Sequence, residues 1–152
     1  MSVIVTSRFR RTAIERAVWE RLGRDILQLV RKPHVELGVV LVGDRRMRQL
    51  NKQYRKSDKS TDVLAFPLQE GTGLHTALLG DVVISLPMAR RQASESRHSL
   101  DRELTVLLVH GILHLCGYDH ERGIKEARRM QRRERAILCQ VPIRKLVRTG
   151  KM

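Results

Sequence analysis

Half of the chain's six histidines, His110, His114 and His120, stand within eleven residues in the stretch His-Gly-Ile-Leu-His-Leu-Cys-Gly-Tyr-Asp-His. Imidazole at that density is metal-ligand chemistry. Neutral ring nitrogens bind a transition ion well, and three of them leave at least one coordination position for water. His110 and His114 are four apart, which on a helix places both rings on one face at adjacent turns. Gly117 supplies a sharp turn three residues on, and His120 follows three residues later, so a third ring can swing back to the same point. Any one of these histidines reads better as a hydrogen-bonded core residue. The three together do not, because two of them interrupt an otherwise apolar helix, where an unpaired imidazole is costly to bury. The expectation is one zinc ion per chain on His110, His114 and His120, and no organic cofactor. His34, His75 and His98 show no such grouping and read as surface or loop residues.

The spacing of the triad resembles the zinc site of metzincin proteases, whose motif opens His-Glu. Here the second position is Gly111. The glutamate of those proteases activates the water at the metal, so its absence argues against an ordinary peptidase of that kind. The ion by itself lowers the pKa of a bound water to roughly 7, which keeps a hydrolase chemically reasonable. Cys116 lies close by, but a fourth protein ligand would close the site. Both cysteines, Cys116 and Cys139, read as packing residues of a reducing compartment, since two are too few for a disulfide scaffold.

The elements that must position these residues follow from hydropathy patterning. Ser2 to Thr6 is β-rich, and Thr12 with Glu15 forms a capping-box pattern ahead of a helix whose inner face is Ile14, Val18, Leu22, Ile26, Leu29 and Val30. Pro33 closes that helix, and Val35 to Val42 reads as a central or near-central strand. Asp44 is placed to cap a short helix with Met47, Leu50 and Tyr54 inward and Arg45, Arg46, Arg48 and Lys52 toward water. A polar loop, 55–61, precedes a strand at 62–66. A connection containing Gly71 and Gly73 leads to a further strand at 78–86. Pro87 suits the first turn of a helix reaching about Arg97. Ser99 caps the decisive helix, wrapped in apolar side chains from Leu104 to Leu115 and therefore buried, with Asp101 and Glu103 at the positive end of its dipole. A last helix, 121–139, carries Ile124, Ala127, Met130, Ile137 and Leu138 on one face. Glu134 lies in the same stripe and reads as an ion-pair partner for a neighbouring arginine. After residue 141 the chain reads as a basic, flexible tail.

At 152 residues the chain fits a single domain, 1–141 with its tail 142–152, burying roughly 70% of the unfolded surface around one core. No apolar stretch is long enough to span a bilayer and none near Met1 resembles a secretory signal, so the expectation is a cytoplasmic protein without membrane contact. The net charge of +14 concentrates polyanions at the surface and makes nucleic acid the natural partner. Each half of the chain carries 15 basic and 8 acidic residues, so the basicity covers the whole body, and 127–152 is densest, with nine basic groups against Glu134 alone. Aromatic content of 3% leaves few platforms for stacking bases, which points to contact with phosphates and RNA shape.

The run from His110 to His120 matches the signature His-Gly-x-Leu-His-Leu-x-Gly-Tyr-Asp-His of the YbeY family of bacterial metal-dependent endoribonucleases. Asn51-Lys-Gln-Tyr-Arg55, Thr61-Asp-Val-Leu-Ala-Phe-Pro67 (with Ala65 where the family usually has Ser) and Leu79-Gly-Asp81 match further blocks, so the chain resembles that family in order from about residue 36 to 138. The resemblance implies an α+β fold with a small mixed sheet of about four strands packed by helices, and zinc on the three matched histidines. It also implies maturation of ribosomal RNA at the 3′ end of the small-subunit RNA and ribosome quality control. The implied partners are the small ribosomal subunit, with ribosomal proteins and assembly GTPases beside it. It assigns a functional role to Arg55, which can pair bidentately with phosphate, alongside His114. Lys56 and Lys59, with Arg45, Arg46, Arg48 and Lys52, are candidate RNA contacts. Asp119 either accepts a proton or orients His120. Activation of the ribose 2′-hydroxyl is open beside attack by water. Two other functions stay in play: a non-catalytic ribosome-binding assembly factor with structural zinc, and a metal hydrolase of peptides or small molecules.

Overall fold

Strands that are apolar on both faces belong at the middle of a sheet, and the chain places them there. The computed structural model describes residues 2–10, 12–56, 61–67 and 77–148. Its strands are β1 (Ser2–Ser7), β2 (Val35–Val42), β3 (Val63–Pro67) and β4 (Ala77–Ser85), in the order β1-β2-β4-β3. β1, β2 and β4 run parallel, with Val5 opposite Val39 and Val39 opposite Val82; β3 pairs antiparallel with β4, Ala65 opposite Val82. The helices among the described residues are α1 (Arg16–Leu29), α2 (Asp44–Arg55), α3 (Leu86–Ser96), α4 (Leu100–Leu115) and α5 (Ile124–Leu138), with a 3-10 turn at His120–Arg122. This is the expected α+β fold with a four-stranded mixed sheet and a buried histidine-bearing helix.

The alternation of each strand divides the core in two. Leu37, Val39, Leu41, Val82 and Ile84 point to the face covered by α1, α3 and α4, with α5 packed on α4, and they share a core with Trp19, Ile26, Leu104, Leu108 and Ile112. Val42, Leu64 and Val83 point to the opposite face, where α2 lays down Met47 and Leu50. Both layers reach the edge strand β3, so α2 and α4 approach one another only around that edge. Among the described residues no helix is long and apolar enough to cross a membrane.

Several local expectations are corrected by tertiary contacts. Thr12 and Glu15 do not form a capping box: α1 starts after Glu15 without a side-chain cap, Thr12 accepts from Arg90 at 2.8 Å, and Glu15 pairs with Arg148. Gly43, not Asp44, is the N-cap of α2, and the Asp44 carboxylate binds Arg91 at 3.1 Å. Tyr54 is 58% exposed, past the sheet edge with its ring against Phe66, and Asn51 takes the inward place. Ile124, expected on the inner face of α5, is its first residue and is 71% exposed. The tail expected to be flexible from residue 142 is docked through Arg148. Leu146 is buried, its carbonyl accepts from the indole N–H of Trp19 at 3.0 Å, and its N–H donates to Asp101 at 2.8 Å. Val147 bridges Ile14, and Arg144 pairs with Asp25 at 2.7 Å. A chain with a buried tryptophan needs an acceptor for its N–H, and the carbonyl of Leu146 supplies it.

Candidate metal centre

Helix α4 is apolar over most of its surface and is held between the sheet and α5, which leaves its last turns as a rigid mount. Ser99 caps its start by accepting from the Arg102 N–H at 3.1 Å. At its end Gly117 takes φ +100°, donating to the His114 carbonyl at 3.0 Å while the Tyr118 N–H donates to Leu113 at 3.1 Å. This pair of bonds is the Schellman closure of a helix, and it reverses the chain at the one residue type that adopts such a φ without strain. The reversal returns His120, on the 3-10 turn, to the two helical rings. Ring centroids of the triad lie 4.7, 5.1 and 5.3 Å apart, and one nitrogen from each ring lies within 4.8 Å of the others. Nε2 of His110 and Nε2 of His114 face each other at 3.1 Å.

The donor set could hold a metal ion, and three imidazole nitrogens are of the kind that ligate zinc. Zn–N bonds of about 2.0–2.1 Å at tetrahedral angles separate ligand nitrogens by about 3.4 Å, close to the spacing of His110 and His114. Nδ1 of His110 lies 2.5 Å from Glu134 Oε1 of α5, a part-buried contact. A carboxylate there requires N–H on Nδ1, which leaves Nε2 with its lone pair toward the other rings. Among the described residues Glu134 thus pairs with His110 and not with a neighbouring arginine, the partner its sequence context suggested. Burial first, then the neighbouring His110 and His120, push the His114 pKa below the ordinary histidine value, keeping the ring neutral near pH 7 and ready to ligate. Cys116 stands outside the group and packs against the core; burial raises its thiol pKa. Cys139, expected as packing, is exposed.

Gly111 explains the missing glutamate. It faces β4, and a Cβ at this position would sit 2.5 Å from a Val82 methyl. The second position of the motif is the contact by which the histidine helix lies against the sheet, so no side chain fits there. Gly111→Ala is expected to lower stability by about 1–3 kcal/mol through overpacking, or roughly 3–10 °C in a thermal melt of a domain this size. An unchanged melting temperature would contradict the packing account.

The triad opens on a cleft of about 840 Å³ walled by Val63, Ala65 and Pro67 of β3, by Tyr118, and by Asn51 and Arg55 from the end of α2. Arg55 therefore shares the site with the histidines. Its guanidinium donates to Glu121 at 3.0 Å, and both side chains remain more than half exposed. Asp119 does not bond His120 among the described contacts. It accepts from the Glu121 N–H at 2.9 Å and pairs with Arg122, holding the 3-10 turn, and that N–H is the main cause of a pKa below the usual carboxylate range. Of the RNA candidates, Arg45, Arg46, Arg48, Lys52 and Lys56 are exposed on or just after α2 and do not line the cleft, while Lys59 lies outside the described residues, as does His75. His98 is not a free surface ring: Nε2 lies 2.5 Å from Glu103. Glu121 and Glu134 are the site residues that the linear motif did not reveal.

Fold and cleft define a class: small α+β hydrolases with a triad of imidazoles at the end of a buried helix and an arginine facing them across an open cleft. Residues 5–142 match the family model described as Endoribonuclease YbeY, and the chain belongs to that family of RNA-hydrolysing enzymes. The Endoribonuclease YbeY of Aquifex aeolicus is 46% identical over 132 residues, covering 87% of this chain and 84% of that protein. The Endoribonuclease YbeY of Geobacter metallireducens is 43% identical over 142 residues, 91% of this chain and 95% of its own. A Thermotoga maritima protein solved in solution superposes with a TM-score of 0.61 at 28% identity, over 90% of this chain and 86% of that one.

Proposed function

We propose that this chain is a zinc-dependent endoribonuclease that cuts single-stranded RNA at the 3′ end of small-subunit ribosomal RNA, acting in the cytoplasm on the ribosome or its assembly intermediates. The observation that carries the reading is the meeting, in one cleft, of three convergent imidazoles and the phosphate-binding type of side chain, Arg55. His110, His114 and His120 would hold the ion, one per chain, with Glu134 fixing the tautomer of His110. When bound, zinc supplies Lewis acidity toward a water molecule and a phosphate oxygen.

The rest is done by the chain's own groups. Arg55 binds the phosphodiester through its planar fork and offsets charge as it grows on the phosphorus. Before substrate arrives, Glu121 holds that guanidinium at the rim of the cleft. Arriving phosphate takes the place of the carboxylate, at little cost because the pair is exposed and worth about 0–1 kcal/mol. The walls from β3 and Tyr118 leave room beside the triad for a phosphodiester linkage.

Arg55→Ala is expected to lower kcat/KM on RNA by roughly 10²–10³-fold, the cost of removing one donor to developing charge, with zinc content unchanged. Arg55→Lys should recover part of the loss, since lysine keeps the charge but not the fork. Cleavage by the wild type must also vanish with a chelator and return with zinc. Full activity in Arg55→Ala, or cleavage indifferent to chelation, would overturn the reading.

A further inference from the structure

The cleft accounts for none of the basic residues on α5. Lys125, Arg128, Arg132 and Arg135 recur at intervals of three and four, so they form one stripe, opposite the face on which Met130 and Ile137 are buried. All four are exposed, and among the described residues none has an ion-pair partner. By contrast Arg133, off the stripe, donates to the Leu29 carbonyl at 2.7 Å, and Glu134 is committed to His110.

A stripe of this kind works against folding. Like charges at i,i+3 and i,i+4 each destabilise a helix by about 0.2–0.5 kcal/mol, and Lys125 stands in the first turn of α5, at the positive end of the helix dipole, where acidic residues belong. Local choices that oppose the fold mark positions held for another purpose. The stripe is also joined to the site. Arg129, on its shoulder, places its guanidinium 5.2 Å from the ring centre of Tyr118, a residue of the cleft wall.

We infer that the outer face of α5 is a second RNA contact, a track for the phosphate backbone of the strand where it leaves the cleft past Tyr118. The inference rests on the chain acting on RNA. Four cations over the eleven residues Lys125 to Arg135 span about 15 Å of helix, enough to meet several successive phosphates. Arginine, the majority type, matches phosphate through its fork. The track reads no sequence; it adds affinity for RNAs long enough to reach it and makes that affinity depend on salt.

The test compares a long RNA of roughly thirty nucleotides with a tetranucleotide, using wild type and the triple variant Arg128→Gln, Arg132→Gln, Arg135→Gln, whose glutamines keep helix propensity. For the long RNA the variant should bind at least about tenfold more weakly, with a log–log salt slope shallower by about 2, three contacts at roughly 0.7 each. Its binding and cleavage of the tetranucleotide, and its circular dichroism, should match the wild type. Arg21→Gln with Arg24→Gln, on the exposed side of α1, removes charge elsewhere and should leave the slope unchanged. The inference is overturned if the triple variant binds long RNA like the wild type, if it weakens both substrates equally, or if the α1 variant has the same effect. A wild type that binds long RNA tightly but never cuts either substrate would sink the catalytic reading and leave the track standing.

Discussion

Replacing His114 by alanine is expected to abolish metal retention and to reduce RNA cleavage by more than the roughly 10–100-fold that follows loss of a mere ligand-orienting partner. His114 contributes one of three nitrogens that converge within 4.8 Å, and the two that remain are too few for a stable site. The fold should survive, because the residues beneath it, Ile112 and Leu113, keep their packing. A readout independent of activity follows. Zinc at about a hundred times its dissociation constant stabilises a protein that binds it only when folded by about 2.7 kcal/mol, on the order of 5–10 °C here. The wild type should show that shift and His114→Ala should not. Equal shifts, or equal cleavage, would mean that the metal or the nuclease lies elsewhere.

Glu134→Ala is the second large effect. Without the carboxylate, His110 is free to rotate and to carry its proton on either nitrogen, and half of those tautomers offer N–H where a lone pair is needed. Zinc affinity should fall about 10–100-fold, the usual cost of losing such a partner, and cleavage should recover when zinc is raised. Glu134→Gln keeps an acceptor oxygen and should lose less. Equilibrium titration with a competing chelator measures both; wild-type affinity in Glu134→Ala would show that the 2.5 Å contact does not tune the ligand.

These two residues also mark where sequence reading works and where it stops. The triad was legible because its logic is local: a four-residue helical repeat, a glycine with positive φ and a returning histidine lie within one short stretch. The apolar β2 and the capped, buried α4 were legible for the same reason. Glu134 was visible as a carboxylate on an otherwise apolar stripe, but its sequence context pointed to a neighbouring arginine, whereas its partner, His110, stands 24 residues away on another helix. Glu121 faces Arg55 across 66 residues, and Leu146 meets Trp19 across 127. No periodicity or capping rule encodes such pairings; they arise when layers pack. The same reason turned Thr12, Glu15 and Asp44 from caps into tertiary partners, since a distant arginine competes for the same oxygen that a local N–H would use.

The most direct test joins elemental analysis of the purified protein to anomalous diffraction at the zinc edge. The account predicts close to one zinc per chain, with a single anomalous peak within bonding distance, about 2.0–2.1 Å, of one nitrogen each from His110, His114 and His120. A well-folded, active protein without metal, or with its anomalous peak away from these rings, would contradict it.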